Sequence, residues 1–477
     1  MSQPAEARLD APVRDPVAIV DALVRRGRAA MMEFAGSDQA RVDEAVTALA
    51  WSLYKPAHAE ALAKMAVDDT GLGNAADKVV KNQRKTFGTL RDLMRAKSVG
   101  IIEEEPALGL VKYAKPVGVV GAVTPSTNPA ATPVNKAMMA LKGRNAIVIA
   151  PSPAGLATTT RTVGFMRAEL ERIGAPADLV QVLPPPVDKA STHALMAACD
   201  LVVVTGSQSN VRAAYRSGTP AIGVGAGNVP VIVDSSAAID EAAAKISASK
   251  CFDNATSCSS ENAVIILDDV YDDAVAALER AGGCLAGAAE KDSIQRTLWM
   301  NGKLNRRVIA KDFEVFAAEC GLDAKAPGAK FFMVEEAGIG PDYPFSDEKL
   351  ALVLTLYRAE TFDEALKKVR AIMTVKGLGH SVGIHTQEIA HARRLAEELD
   401  TARVLVNMAH TFGNGGGFDS GLNFTLSMGC GTWQGNSISE NLNYRHFLNI
   451  THLAVPIPED RPSEDALFGA YWDKYGR

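Results

Sequence analysis

The sequence predicts an α/β protein with two doubly wound parallel-sheet domains. From Val117, short apolar runs of β-formers (VGVVGAV, NAIVIA, DLVQVL, DLVVVTG) alternate with helix-like segments such as Thr158 to Ile173 and Ser207 to Ser217. That alternation marks a parallel sheet flanked by helices. A second block follows, with strands expected at Ala263 to Leu267, Phe331 to Val334, Leu352 to Tyr357, Ser381 to His385 and Arg403 to Val406. The length of 477 residues leaves room for two to four cores at roughly 150 residues per domain.

Before the first strand the pattern is helical. Asp15-Pro16 reads as an N-cap and first helical residue, followed by Val20, Leu23, Val24, Met31 and Phe34 at helical spacing up to Gly36. A second helix carries Val42, Val46, Leu49 and Leu53 and ends before Pro56, and the stretch Ala59 to Arg95 continues the pattern with breaks at Gly71 and Gly73. Ser98 to Lys115 reads as an extended arm whose Glu103-Glu104-Glu105 run is a solvated edge. Asn441 to Pro456 alternates like a strand after a polar helix start.

The 50 Lys+Arg against 56 Asp+Glu give a net charge of -6, which excludes nucleic-acid binding driven by bulk charge. No apolar run approaches ~18 residues, and Met1 to Pro16 has no apolar core of a leader, so neither a membrane span nor export is expected. Six cysteines without a Cys-x-x-Cys fit a reducing compartment, and the expected location is the cytoplasm. Without export, the Asn-x-Thr triplets at Asn254, Asn423 and Asn449 are chance matches.

Open parallel sheets bind ligands beyond the carboxyl ends of their strands. The loops there are Thr124 to Pro129, Pro151 to Gly155, Thr205 to Asn210 and Gly225 to Asn228, rich in Gly, Pro, Asn and hydroxyl residues. Thr205-Gly206-Ser207 closes a strand and opens a helix, so its N–H groups either meet a pyrophosphate or form a plain turn. There is no Gly-x-Gly-x-x-Gly after a strand and no Walker motif.

Cys258 sits in the polar turn Asp253-Asn-Ala-Thr-Ser-Cys-Ser-Ser-Glu261, between a helix from Glu241 to Cys251 and the strand from Ala263. A reactive thiol needs exposure and a polar surround. Cys430, flanked by glycines in Met-Gly-Cys-Gly-Thr, is its rival; Cys199, Cys284 and Cys320 read as buried filler on helices. His380 follows Gly377-Leu-Gly379 at a loop-to-strand junction and is either catalytic or structural. No Cys/His spacing suits a metal, and none is expected. Asn414-Gly-Gly-Gly417 is either a mobile loop or a tight connection.

Five motifs occur in a telling order: Thr124-Pro-Ser-Thr-Asn-Pro129, Val204-Thr-Gly-Ser207, Asp253 to Cys258, Glu348-Lys-Leu350 and Gly377-Leu-Gly-His380. Together, from about Val42 to His452, the chain resembles the CoA-acylating branch of the aldehyde dehydrogenase superfamily. The resemblance implies a nicotinamide-binding domain over residues 1–245 with an arm at 98–115, a catalytic domain over 246–437, and an oligomerisation segment and tail over 438–477. It implies a homodimer or homotetramer, with NAD or NADP as cofactor and coenzyme A as cosubstrate.

By that resemblance Cys258 is the nucleophile, attacking the aldehyde to give a thiohemiacetal and then, after hydride transfer, a thioester. His380 assists proton transfer. Asn128 holds the oxyanion, although members one residue shorter place the Asn where this chain has Thr127, so both stay open. The cofactor is expected on Thr124, Pro125, Ser126, Thr127, Pro151, Thr205, Gly206, Ser207, Gly225, Ala226 and Gly227, with Glu348 on the nicotinamide ribose or else a surface charge beside Lys349. Ala150-Pro-Ser-Pro153 lacks the lysine that hydrolytic relatives direct at the adenine ribose. NAD and NADP therefore stay open, with Arg144 and Arg161 as candidates for a 2′-phosphate.

Hydrolytic relatives place a water-activating glutamate where this chain reads Gly223-Val-Gly-Ala-Gly-Asn228, which has no carboxylate. A thioester that meets no activated water waits for a thiol, so acyl-CoA is the expected product. Within the branch, Asn254 to Ser260 and Trp433 to Ser439 look most like the enzymes that act on sulfoacetaldehyde. A sulfonate presents three acceptor oxygens, and His410, Thr411, Asn414 and Asn423 are its expected donors. The alternatives are acetaldehyde or propanal as substrate, a hydrolytic dehydrogenase, and a thiolase-type acyltransferase using Cys258 and Cys430.

Overall fold

The computed structural model describes residues 15–323 and 327–477. The leader question falls mostly on residues 1–14, outside the described residues. Four helices come first, Pro16–Phe34, Gln39–Tyr54, Pro56–Thr70 and Ala75–Met94. Asp15 caps the first by accepting from the Val17 N–H at 2.9 Å, and Gly71 ends the third in the left-handed conformation (φ 65°).

A five-stranded parallel sheet follows in the order Val180–Val182, Ala146–Ala150, Val119–Val123, Leu201–Val204, Ala221–Gly223. In chain order this is 3-2-1-4-5, the dinucleotide-binding order 3-2-1-4-5-6 without its last strand, with its switch point between Val119–Val123 and Leu201–Val204. The strands read as unbroken apolar runs because both faces are buried. The first two helices and Ala131–Lys142, Leu156–Arg172 and Lys189–Ala198 complete this core.

A seven-stranded parallel sheet runs Gly283–Leu285, Phe331–Glu335, Val353–Ala359, Glu261–Leu267, Val229–Val233, Val382–His385, Val404–Val406, with an apolar cluster on either side. All five expected strands of the second block are present. Val229–Val233 lies in this sheet, between Glu261–Leu267 and Val382–His385, so the change of sheet falls between Gly223 and Val229 and not near residue 245. Cys284 lies on the edge strand Gly283–Leu285 and not on a helix.

The arm is a three-stranded antiparallel sheet of Gly100–Glu105, Leu110–Pro116 and Leu448–Ala454. Lys112 sits between Glu103 (3.0 Å) and Glu105 (2.8 Å), so two of the three glutamates are paired across the strands. Asn145 joins arm to body, accepting from the N–H groups of Val117 and Gly118 and donating to the Phe447 carbonyl. No helix among the described residues is long and apolar enough to cross a membrane.

Candidate active site

A cleft of about 1000 Å³ opens where the carboxyl ends of the five-stranded sheet face the segments leading into the seven-stranded sheet. Thr124 to Asn128, Pro151, Thr205 to Ser207, Gly225, Ala226, Cys258 and Glu348 all line it. The sequence-predicted residues therefore converge, with two exceptions taken up below.

The thiol turn is held from the side. Asp253, Asn254 and Ala255 take left-handed φ of 51°, 53° and 58°, an uncommon run that persists only when its surroundings fix it. Asp253 supplies that fixation. Its buried carboxylate accepts from the Asn74 N–H (2.8 Å), Lys78 Nζ (3.0 Å), Lys81 Nζ and Thr256 Oγ1 (2.7 Å), while its own N–H donates to Asp77. Burial alone would raise the carboxyl, but Lys81 and Lys78 hold it below its usual range. Gly73 makes the approach possible, since a Cβ there would meet Asp253 Oδ1 at 2.0 Å.

Cys258 is part-exposed on the cleft wall. Desolvation pushes its thiol up to about 12, with the charges of Glu348 and Cys430 acting in the same direction. Cys430 does not line the cleft. It is fully buried, with Sγ 3.6 Å from the Met428 carbonyl. The segment Gly225 to Gly227 runs close to both thiols: a Cβ on Gly225 would sit 3.0 Å from Cys430 Sγ, and one on Gly227 would sit 2.0 Å from the Cys258 carbonyl oxygen. Gly227 thus supports the thiol from behind and does not face the cleft.

His380 is the second exception. It is 1% exposed, and no part of it lines the cleft. Its Nδ1 lies 2.8 Å from Ser381 Oγ, which also meets His410 Nε2 at 2.9 Å, and its Nε2 is enclosed without a hydrogen-bond partner. Burial, with Arg403 and His410 nearby, drops its pKa well below the usual histidine value, so the ring is neutral. It sits one layer behind the glycine segment: Arg403 donates to its carbonyl, and Gly377 comes so near the Asn228 N–H that a Cβ would be at 2.7 Å.

Asn128 and Thr127 both reach the cleft, 3.4 Å apart from Asn128 Nδ2 to Thr127 Oγ1. Glu348 is only 9% exposed, so it is no surface charge, and burial lifts its carboxyl to about 7. Lys349 beside it is fully buried and donates to the carbonyls of Phe345 and Asp347.

Several expected donors lie elsewhere. Of the four proposed for a sulfonate only Thr411 lines the cleft. His410 is bound to Glu261 and Ser381, Asn414 donates to Ser259, and the Asn423 carbonyl accepts from Asn441, all as internal struts. Arg144 reaches the carbonyls of Ala35 and Ala114, and Arg161 lies over the Phe165 ring; neither touches the cleft. The cleft's cations are instead Lys81, Arg84, Lys85, Lys189 and Arg306. The first three share one face of Ala75–Met94 with Lys78, a basic stripe at helical spacing that is readable in the sequence. The glycine run is a tight connection: a Cβ on Gly416 (φ 86°) would meet the Asn423 carbonyl oxygen at 2.6 Å.

A dinucleotide fits the far half of the cleft. Gly206 (φ 147°) leaves open space where a Cβ would be, with only Pro125 atoms at 3.8 to 3.9 Å, beside the start of helix Gln208–Arg216. Gln208 Nε2 is buried there without a partner. Among the described residues no group of three or more His, Cys, Asp or Glu side chains is placed to hold a metal ion.

The aldehyde dehydrogenase family model matches residues 12–292. A sulfoacetaldehyde dehydrogenase (acylating) from Cupriavidus necator is 51% identical, over 100% of this chain and 95% of its own length. A second sulfoacetaldehyde dehydrogenase (acylating), from Bilophila wadsworthia, is 42% identical over 95% of this chain and 98% of its own. The crystal structure of an acetylating aldehyde dehydrogenase from Geobacillus thermoglucosidasius superposes with a TM-score of 0.90 at 33% identity, covering 94% of this chain and 100% of its own. With matches of this extent, on a cleft that presents a thiol to a nucleotide-binding sheet, the chain belongs to the aldehyde dehydrogenase family, among its acylating members.

Proposed function

We propose that this enzyme oxidises sulfoacetaldehyde with NAD or NADP and coenzyme A, giving sulfoacetyl-CoA. The observation that carries the acylating half of this reading is the carboxylate-free segment Gly223 to Asn228 packed against the Cys258 backbone. The sulfonate half rests on the 51% identical relative.

Cys258 gives up its S–H proton to cleft water as Sγ forms a bond to the aldehyde carbon, and the carbonyl π pair moves onto the oxygen, which gains charge facing Asn128 Nδ2 or Thr127. Bound oxidised nicotinamide supplies the hydride acceptor and a positive charge near the thiol. Thr124 to Thr127, Pro151, Thr205 to Ser207, Gly225 and Ala226 would seat the dinucleotide, with Glu348 holding its ribose. Loss of hydride leaves a thioester on Cys258. The CoA thiol then attacks the acyl carbon, the Cys258 C–S bond breaks, and the thiolate takes back a proton. His380, buried and off the cleft, does not reach that proton; it acts as a positioning residue from behind, where its N–H donates to the Gly377 carbonyl and Gly377 packs on the Asn228 N–H.

Residues up to the change of sheet form the cofactor half and those after it the catalytic half. The arm carries exposed Ile450, Leu453, Val455 and Ile457, and it pairs subunits in a homodimer or homotetramer. The six cysteines are all free, which suits a cytoplasmic enzyme.

The test is absorbance of reduced nicotinamide with sulfoacetaldehyde, acetaldehyde and propanal, each with and without CoA and with either cofactor. Turnover that needs CoA and favours sulfoacetaldehyde is the expected result. Turnover without CoA overturns the acylating reading, and CoA-dependent turnover of acetaldehyde alone overturns the sulfonate. Light scattering at the 50.5 kDa of a single chain would overturn the oligomer.

A further inference from the structure

The cleft end nearest Phe412 and Phe424 gathers more basic side-chain donors than its surroundings satisfy. Helix Ala75–Met94 buries a polar face there. Lys78 and Lys81 are both engaged by Asp253. Arg84 and Lys85, the next residues on that face, have no carboxylate within ion-pair distance among the described residues. Lys85 is 9% exposed and spends one donor on the Gly415 carbonyl at 2.8 Å. Arg84 makes a single long hydrogen bond, 3.4 Å to the Phe412 carbonyl, and its Nε is buried without a partner. Its only carboxylate influence is Asp419, at longer range. The guanidinium lies 5.2 to 5.6 Å from the ring centres of Phe412, Phe418 and Phe424. Thr411 Oγ1, also lining the cleft, is buried with no partner.

Unspent donors on two basic side chains and a hydroxyl, enclosed by aromatic rings, are costly in a protein that binds nothing there. They are what an anion with several acceptor oxygens satisfies. Position narrows the anion further. In sulfoacetaldehyde one methylene separates the sulfonate from the carbonyl carbon, so its seat must adjoin the nucleophile. Lys85 meets that condition: it lines the same cleft as Cys258 and holds the Gly415 carbonyl, while the preceding Asn414 donates to Ser259, the residue after Cys258. Burial, with Arg84 and Lys81 nearby, drops the Lys85 ammonium to about 7, and an anion beside it would restore its charge.

We propose that Arg84 and Lys85, with the Thr411 hydroxyl, seat the sulfonate of the substrate and select anionic short aldehydes over neutral ones. This rests on the substrate reading above and replaces the donors expected from the sequence. The aromatic rings exclude water around the anion, and Arg84 over their faces keeps its orientation.

The experiment compares kcat/KM for sulfoacetaldehyde with that for propanal in the wild type and in Arg84→Gln, Arg84→Lys and Lys85→Met. The ratio is expected to fall about 100-fold in Arg84→Gln and Lys85→Met, mainly through KM for sulfoacetaldehyde, and less in Arg84→Lys. Ethanesulfonate, which has the anion and no carbonyl, is expected to compete with sulfoacetaldehyde in the wild type and to lose potency in the same two variants. A wild type without preference for sulfoacetaldehyde overturns the substrate reading. A preference retained in both variants, with ethanesulfonate still competing, overturns the seat alone. If Lys85→Met does not fold, Arg84→Gln, at a half-buried position, decides the matter.

Discussion

Gly227 and Cys258 meet backbone to backbone, with no space between them for a methyl group: a Cβ on the glycine would lie 2.0 Å from the cysteine's carbonyl oxygen and 2.8 Å from its carbonyl carbon. Neither atom belongs to a flexible side chain, so the clash cannot be relieved by a rotamer change. Gly227→Ala is expected to cost about 1 to 3 kcal/mol of stability and to displace the thiol, lowering kcat at least ~10-fold. Thermal melts and steady-state rates check both. A variant with unchanged kcat would show that the thiol turn tolerates movement.

The thiol's position predicts how it reacts. With its pKa pushed up to about 12, Cys258 is a thiolate only in trace amount at neutral pH, and that fraction grows about tenfold per pH unit up to that value. Alkylation of the Cys258 peptide by iodoacetamide, followed by mass spectrometry without cofactor, is expected to accelerate steadily from pH 7 to 10. A plateau near pH 9 would mean an unperturbed thiol. Cys258→Ser is expected to lower hydride transfer at least ~10³-fold, whereas Cys430→Ser, outside the cleft, retains it.

Glu348 gives a pH dependence of stability with a definite sign. Burial lifts its carboxyl from the ordinary range to about 7, so the folded state binds the proton more tightly than the unfolded chain. Its contribution is complete at acid pH and is lost as pH rises through 7. Glu348→Gln does not titrate. Its advantage in unfolding free energy over the wild type is therefore expected to grow from near zero at about pH 4 to on the order of 2 to 3 kcal/mol at pH 8. Denaturant titrations at the two pH values measure it, and an advantage that shrinks with pH would contradict the buried carboxyl.

Val224 lines the cleft within the segment where hydrolytic relatives place their base. Gly225 has no space for a side chain, since a Cβ there would fall 1.2 Å from Gln434 Oε1, so a carboxylate is best introduced one position earlier. Val224→Glu is expected to raise CoA-independent release of free acid about 100-fold or more, the scale of a positioned general base. Product analysis without CoA reads the outcome. No rise would mean that water, and not only its activating base, is kept from the thioester.

The two sheets were legible because strands buried on both faces are apolar runs, as Val119–Val123 is and as Glu261–Leu267 is from Ala263 onward. Val229–Val233 is as apolar as its neighbours, but residue order could not show which sheet it joins. Cys258 stood out through its polar setting, although it precedes its strand, where the rule for open sheets does not look. His410, Asn414 and Asn423 misled because polar residues near glycines resemble a binding loop; His410 and Asn414 donate inside the protein, and Asn423 lies off the cleft with its carbonyl accepting from Asn441. Arg84 and Lys85 went unnoticed because a charged helix usually turns its charges outward, and only tertiary packing shows that this one turns them in.

The arm imposes a timetable on synthesis. Leu110–Pro116 leaves the ribosome long before its second neighbour, Leu448–Ala454, and the Asn145 side chain that joins them spans 302 residues to Phe447. Until then the growing chain carries one open strand edge, the kind that seeks another chain. Glu103, Glu105 and Lys112 on the adjoining hairpin place charge along that ribbon. They discourage neighbouring nascent chains on a polysome from pairing before each has made its own closing strand.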